Sequence, residues 1–402
     1  MRKIFAFTVI FLCFLNINQA FCAKLQGNKN HSWVWNVLVV PPSKGWDDEP
    51  GKSIKTAIEW FELEIAESSS GVGGHDLKFI FLNNPVSSDS PARDINFNFD
   101  SHSVAVMSFA HSYESDRILV ERLAGQNIPL LISGGENVLI DRGGHPIQNI
   151  FALDLYRDYR CPAFVRYASE IFDREKRIAL AAARFTINQE REAKICYNML
   201  DHEGFMPMPY WADASVRDTY YMMSEEIESY EGERAGVVIS FMGSMGAREI
   251  WRNFMRIKTS WQLWNCAEPE KIYLSCRGMI FADQNISLNS QGGFIETKRN
   301  LWRSRAMQIN DPVAAGRAIA LCEWFKGAVD MMPQPVDEMP RNILLNNLSL
   351  VQEIPFGNQK LNINPALHRP DSRNIFIVEV REHEFQYKDT VNVRGLVYVP
   401  GY

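Results

Sequence analysis

Two stretches of this chain run from apolar residues into small polar ones: VAVMSFAHS at Val104–Ser112 and IPLLISGGEN at Ile128–Asn137. Hydroxyls and backbone N–H groups at such places hold polar groups of a small molecule without covalent chemistry. The expected ligand residues are therefore Ser108, Ser112, Ser133, Gly135 and their neighbours. Covalent engines are missing. Gly45 to Ser53 imitates a phosphate-binding loop, but five residues separate its glycines where four are needed, and Asp47, Asp48 and Glu49 would face the phosphates. Ser244 in FMGSMGA lacks the first glycine of a nucleophile elbow. The eight histidines form no His-Glu-x-x-His, and Cys266 with Cys276 lack the second pair of a structural zinc site. The first strand leads into Pro41-Pro42 rather than a glycine-rich dinucleotide fingerprint. Neither catalysis, cofactor nor metal is expected.

Alternating elements must position these mouths. Trp33–Pro41 reads as a strand, Pro41–Gly51 as a turn-rich loop, Ser53–Glu67 as an amphipathic helix and Leu77–Leu82 as a second strand. A helical SDRILVERLAGQ separates the two opening segments. The pattern returns in RIALAAARFTIN and AGVVISFMGS, with helices at Asn188–His202 and Asp218–Tyr230 and a strand at Met206–Trp211. Repeated strand-helix units of this kind build parallel sheets, and ligands bind beyond the carboxyl ends of their strands. Two α/β lobes facing one cleft are the expected architecture. A long helix over Ile309–Met332 starts near Asp311-Pro312, a cap followed by a proline at the first helical position. Strands without intervening helices are expected at Asn374–Val380 and Val391–Val399.

The N-terminus reads as a signal peptide over residues 1–22, with Arg2 and Lys3 ahead of an apolar Ile4–Leu15. That run is shorter than the ~20 residues of a membrane span, and no later segment is long enough. An exported protein without a membrane span is expected. A lipidated Cys22 is the alternative, against which Phe21 is bulky. The net charge is −6 for the whole chain, and removal of the leader with its two cations makes it more negative. With no basic stripe, nucleic acid is excluded as a partner. Cys161, Cys196, Cys266, Cys276 and Cys322 would remain. In an oxidising compartment, Cys266 with Cys276 and Cys161 with Cys196 are the candidate pairs.

Taken in order, the leader, VWNVLVVPPSKGW, GKSIKTAIEWFELEIAES, VAVMSFAHS, IPLLISGGEN, NIFALDLYRDY, KRIALAAARF, AGVVISF and the Asp311–Asp330 helix resemble the type I periplasmic solute-binding proteins. These are receptors of branched-chain amino acid and amide ABC transporters. The resemblance implies two Rossmann-like lobes joined by three crossings, near Ile150–Tyr156, Ile280–Asn289 and Glu353–Ala366. Lobe 1 would be 23–153 plus 285–355, and lobe 2 would be 154–284 plus 356–402. It implies ligand contacts from His111 and Ser112 after the first opening, and from Glu136 and Asn137 beside Gly134 and Gly135 after the second. Trp46 would be an aromatic lid, and Arg184, Phe185, Phe241 and Met242 would end second-lobe strands facing the ligand. Glu268 in WNCAEP stands where an acid meets a ligand ammonium, and Arg157 lies near the first crossing. An ionised Glu136 would repel a ligand carboxylate unless paired or protonated. Glu136 and Glu268 together imply a small polar ligand with a positive or hydrogen-bond-donating group, such as an amino acid, amide or amine. The expected product is a periplasmic monomer delivering that ligand to an ABC transporter permease. A sensor module signalling to a membrane kinase or chemoreceptor is the alternative.

Overall fold

A computed structural model describes residues 34–68, 70–83, 103–110, 113–123, 126–133, 147–153, 157–185, 187–229, 236–267, 269, 271–283, 309–333, 336, 338–356, 359–365, 368–370 and 374–393. The first unit runs β1 (Val34–Val40), α1 (Glu49–Glu67), β2 (Asp76–Phe81), β3 (Ser103–Ser108), α2 (Tyr113–Leu123), β4 (Leu130–Ile132) and β5 (Ile150–Ala152). Its five strands are all parallel, in the order β2-β1-β3-β4-β5. Parallel strands covered on both faces read as nearly continuous apolar runs, which is why β1 is VWNVLVV. Successive side chains alternate between faces. Trp35, Val37 and Val39 enter one core with α1, while Leu38 and Val40 enter another with Leu119 and Leu123 of α2. Helix α1 begins four residues before the expected Ser53, because the Asp48 carboxylate accepts from the Gly51 N–H at 2.8 Å. Gly51 is required there: a Cβ would stand 2.3 Å from the Gly45 carbonyl oxygen.

The chain then passes through α3 (Arg157–Ile171) into β6 (Ile178–Ala183), α4 (Ile187–His202), β7 (Pro207–Ala212), α5 (Arg217–Ser229), β8 (Val237–Ser240), α6 (Ser244–Ile257), β9 (Gln262–Asn265) and β10 (Ile280–Asp283). These strands form a second sheet whose parallel part has the order β7-β6-β8-β9-β10. Small side chains in β6, IALAAA, leave room for helices on both faces. Trp264 fills one of those faces, its ring packed by Phe164, Tyr167 and Phe172 at centroid distances of 5.3, 5.2 and 5.8 Å.

The chain next rejoins the first unit. Helix α7 (Pro312–Asp330) is capped by Asp311, whose carboxylate accepts from the Ala314 N–H at 3.0 Å. The Asp311 N–H donates to Ser53 of α1, also at 3.0 Å. Trp324, wholly buried, donates its indole N–H to the Leu348 carbonyl of α8 (Arg341–Leu350) at 2.8 Å. Two small antiparallel pairs follow, β11 (Ile354–Phe356) with β12 (Gln359–Leu361) and β13 (Ile363–Asn364) with β14 (Arg369–Pro370).

Here the expected division of the chain needs correcting. Residues beyond 355, assigned above to lobe 2, still belong with the first sheet: Leu361 and Ile363 enter its core, and His368 stacks on Phe151 at 4.6 Å. The third passage thus falls after Pro370 rather than within Glu353–Ala366. Apolar residues in short hairpins anchor this segment, and they give no long periodic signal.

Strands β15 (Asn374–Arg381) and β16 (Glu384–Asn392) then add an antiparallel hairpin beside β10, completing seven strands. The last strand lies earlier than the expected Val391–Val399, whose final residues fall outside the described set. As an edge strand it is polar, EFQYKDTVN, and so escaped an apolar-run reading. No helix among the described residues is long and apolar enough to cross a membrane.

Candidate ligand-binding site

In an open parallel sheet, a crevice opens where successive connections leave to opposite sides, at the point where strand order reverses. Both sheets have this reversal, between β1 and β3 in the first and between β6 and β8 in the second. Backbone pairing continues to the very mouths, so the residues there are held firmly. Phe109 N–H donates to Val40 O at 3.1 Å, Ser133 N–H to Ser108 O at 3.0 Å, Arg184 N–H to Ala212 O at 2.9 Å and Phe241 N–H to Ala181 O at 2.8 Å.

In the first mouth, Ser108 and Ser133 are brought side by side, both buried. The Ser108 hydroxyl points inward. It donates to the buried Asp116 carboxylate of α2 at 3.1 Å and accepts a long hydrogen bond from the Ala110 N–H at 3.4 Å. With its proton spent on Asp116, Ser108 positions the mouth and has none to offer a ligand. Trp46 is half-buried over the ends of β1 and β2, where its indole N–H donates to Leu82 O at 2.7 Å and its ring meets Phe81 edge-on at 5.2 Å. Its indole plane is fixed and its only donor is used, so what it offers a ligand is an apolar surface. The Asp48 carboxylate caps the start of α1, where a phosphate would need to sit. That removes the phosphate-loop reading of Gly45–Ser53.

The second mouth is built differently. Arg184 follows β6 with its side chain 53% exposed, its guanidinium carbon 5.4 Å from the Trp211 ring centroid and a terminal nitrogen 3.6 Å from Asp213. Phe185 is 47% exposed. Gln189, on the first turn of α4, has a buried Oε1 with no hydrogen-bond partner among the described residues, and its Nε2 lies 3.8 Å from where a Cβ on Gly243 would be. Gly243 precedes α6 and supplies no side-chain cap. Glu190 is held below the usual carboxylate range, first by its hydrogen bond with Lys194 at 2.8 Å.

Phe241 and Met242, expected to face a ligand, are buried instead. The chain beyond β8 keeps alternating, so Phe241 enters the core with Trp264 and Met242 the opposite core with Tyr220. His111, Ser112, Gly135, Glu136, Asn137 and Glu268 lie outside the described residues, as does the side chain of Arg157. Trp211, Asp213 and Gln189 were not anticipated. The signal for them was available: Trp211 and Asp213 close a strand parallel to β6, and Gln189 opens the helix after it.

Neither candidate disulfide is present among the described residues, where Cys161, Cys196, Cys266, Cys276 and Cys322 are all buried. Cys266 and Cys276 belong to cores on opposite faces of the second sheet. The Cys161 thiol lies 4.0 Å from the Met199 sulfur. Burial pushes the Cys276 thiol up, away from reactivity. No group of His, Cys, Asp and Glu among the described residues could hold a metal ion.

Known structures share this architecture at very low identity. A leucine-binding protein of Thermotoga maritima superposes with a TM-score of 0.68 at 10% identity, over 89% of this chain and 99% of that one. A branched-chain amino acid transporter substrate-binding protein of Streptococcus pneumoniae, in complex with isoleucine, gives 0.68 at 11% identity over 90% and 100%. An ABC transporter solute-binding protein of R. palustris in complex with benzoate gives 0.67 at 11% over 89% and 96%. No family model and no curated protein sequence matches the chain. The chain has the two-lobed α/β fold of the type I periplasmic binding proteins.

Proposed function

We propose that this chain is an exported solute-binding protein. It captures a small polar ligand, of the amino acid, amide or amine kind, between its lobes and delivers it to an ABC transporter permease. The carrying observation is the pair of reversal points, with an aromatic, hydrogen-bonded mouth on one lobe and an exposed Arg184-Phe185 mouth on the other. Substrate-binding proteins among its structural neighbours support the same reading, some with amino acids bound and others with benzoates. Function follows as a population shift: ligand held on one lobe recruits contacts from the other and so favours the closed form.

A thermal-shift screen of the purified chain tests this, using amino acids, amides, amines, aromatic carboxylates, sugars and nucleobases. A ligand at 100 times its Kd adds about 2.7 kcal/mol, which raises the midpoint by roughly 2–4 °C for lobes of this size. A hit in one chemical class is the expected result. Silence across all classes, from folded and ligand-free protein, contradicts the proposal.

A further inference from the structure

The two mouths present different kinds of charged group. Beyond β1 the first lobe turns Asp47 and Glu49 to solvent, and Asp116 lies buried behind Ser108. Lys44 and Lys52 are the exposed cations of that loop and first helical turn. Beyond β6 the second lobe offers an arginine. Its guanidinium is braced on the Trp211 ring, which limits the freedom lost when it grips a carboxylate through its planar fork. Asp213, itself 74% exposed, pairs with it at 3.6 Å, and the Glu190 carboxylate also feels its charge. Such a water-screened pair exchanges readily for a ligand carboxylate once a cleft closes and excludes water. Glu190 is tied up by Lys194. Beside Arg184, Phe185 is 47% exposed at the strand end, so part of its ring is open to an apolar partner.

We propose that the ligand binds with its carboxylate on the second lobe, at Arg184, and with an apolar, preferentially aromatic, body between Phe185 and Trp46. Asp47 and Glu49 at the mouth of the first lobe then receive a cationic or hydrogen-bond-donating end. This inference rests on the solute-binding reading. It reverses the polarity implied by the family resemblance, in which first-lobe loops take the carboxylate. Ser108 agrees with the reversal, since its proton is already given to Asp116.

The test is titration calorimetry of the full mature chain and of Arg184→Gln with L-phenylalanine, 3-phenylpropanoate, phenethylamine and L-leucine. Phenylalanine and phenylpropanoate are expected to bind, more tightly than leucine. Both should weaken on the order of tenfold or more in Arg184→Gln, because the lost hydrogen bonds are charged ones. Arg184→Lys should fall between, and Arg166→Gln, an exposed change on α3, should match the parent. Carboxylate binding that Arg184→Gln leaves within twofold of the parent overturns the inference. So does exclusive binding of phenethylamine. If all four probes are silent while the broad screen returns another class, the polarity inference fails and the solute-binding reading stands. Silence in both experiments removes the two together.

Discussion

The two lobes share strand order and coverage but spend their polar groups in opposite ways. In the first, three side chains at the mouth are turned to partners within the lobe, Ser108 to Asp116, Trp46 to Leu82 and Asp48 to the start of α1, while Lys44, Asp47, Glu49 and Lys52 face solvent. In the second, Arg184 and Phe185 are left outside on a well-paired strand end. Strand order therefore locates a crevice, while the bonding state of each mouth decides what that crevice does. The first lobe holds Ser108, Trp46 and Asp48 in bonds of its own, whereas the second leaves an arginine that is braced on Trp211 and paired with Asp213 but largely exposed.

Core substitutions should reveal two separately built lobes. Trp324→Ala and Trp264→Ala each remove a fully buried indole and should cost about 3–5 kcal/mol in urea denaturation. If the lobes unfold in separate steps, each variant should move only the step of its own lobe. Equal movement of both steps by either variant would join the lobes into one cooperative unit.

Ser108→Ala gives a smaller and sharper contrast. Removing its hydroxyl leaves the Asp116 carboxylate buried with one donor fewer, at a cost of about 1–3 kcal/mol in stability. Ligand affinity should hardly change. A marked loss of affinity with unchanged stability would return Ser108 to the ligand.

The smallest expected effect concerns His368 at the junction of the first lobe with the third passage. Its imidazole hydrogen-bonds the Ile150 carbonyl at 3.1 Å, and burial, the largest influence, holds its pKa below the ordinary 6.5. The unfolded chain then binds the proton more readily, so stability is complete above pH 6.5 and declines as pH falls through the window beneath it. His368→Asn, which tolerates the positive φ of 51° at this position, should flatten that decline in urea midpoints measured on either side of pH 6.5. An unchanged decline would place its origin elsewhere.

The fold was legible because parallel strands covered on both faces are nearly pure apolar runs, as in VWNVLVV and IALAAA, and their helices keep a regular period. Asp311 and Pro312 announced α7 correctly for the same local reason, a cap next to a helix start. What escaped depended on how elements fold onto one another or on polar elements. Nothing near Ser108 in the chain tells that α2 will fold Asp116 onto it. The short spacing of Cys266 and Cys276 conceals the sheet that separates them. Strand β16 and the hairpins up to Pro370 were obscured by their polar or brief patterns. Trp46, Arg184 and Phe185 were legible as residues at or just beyond strand ends that stay at least partly exposed. Phe241 and Met242 were not, because a strand-end position does not tell which face a side chain takes.

Small-angle X-ray scattering of the chain, before and after saturation with the ligand returned by the screen, tests the central claim most directly. Capture between two lobes predicts a smaller radius of gyration in the bound form, with Arg184→Gln requiring more ligand to reach it. Saturated binding with no change in the radius would confine the ligand to one lobe and contradict the account.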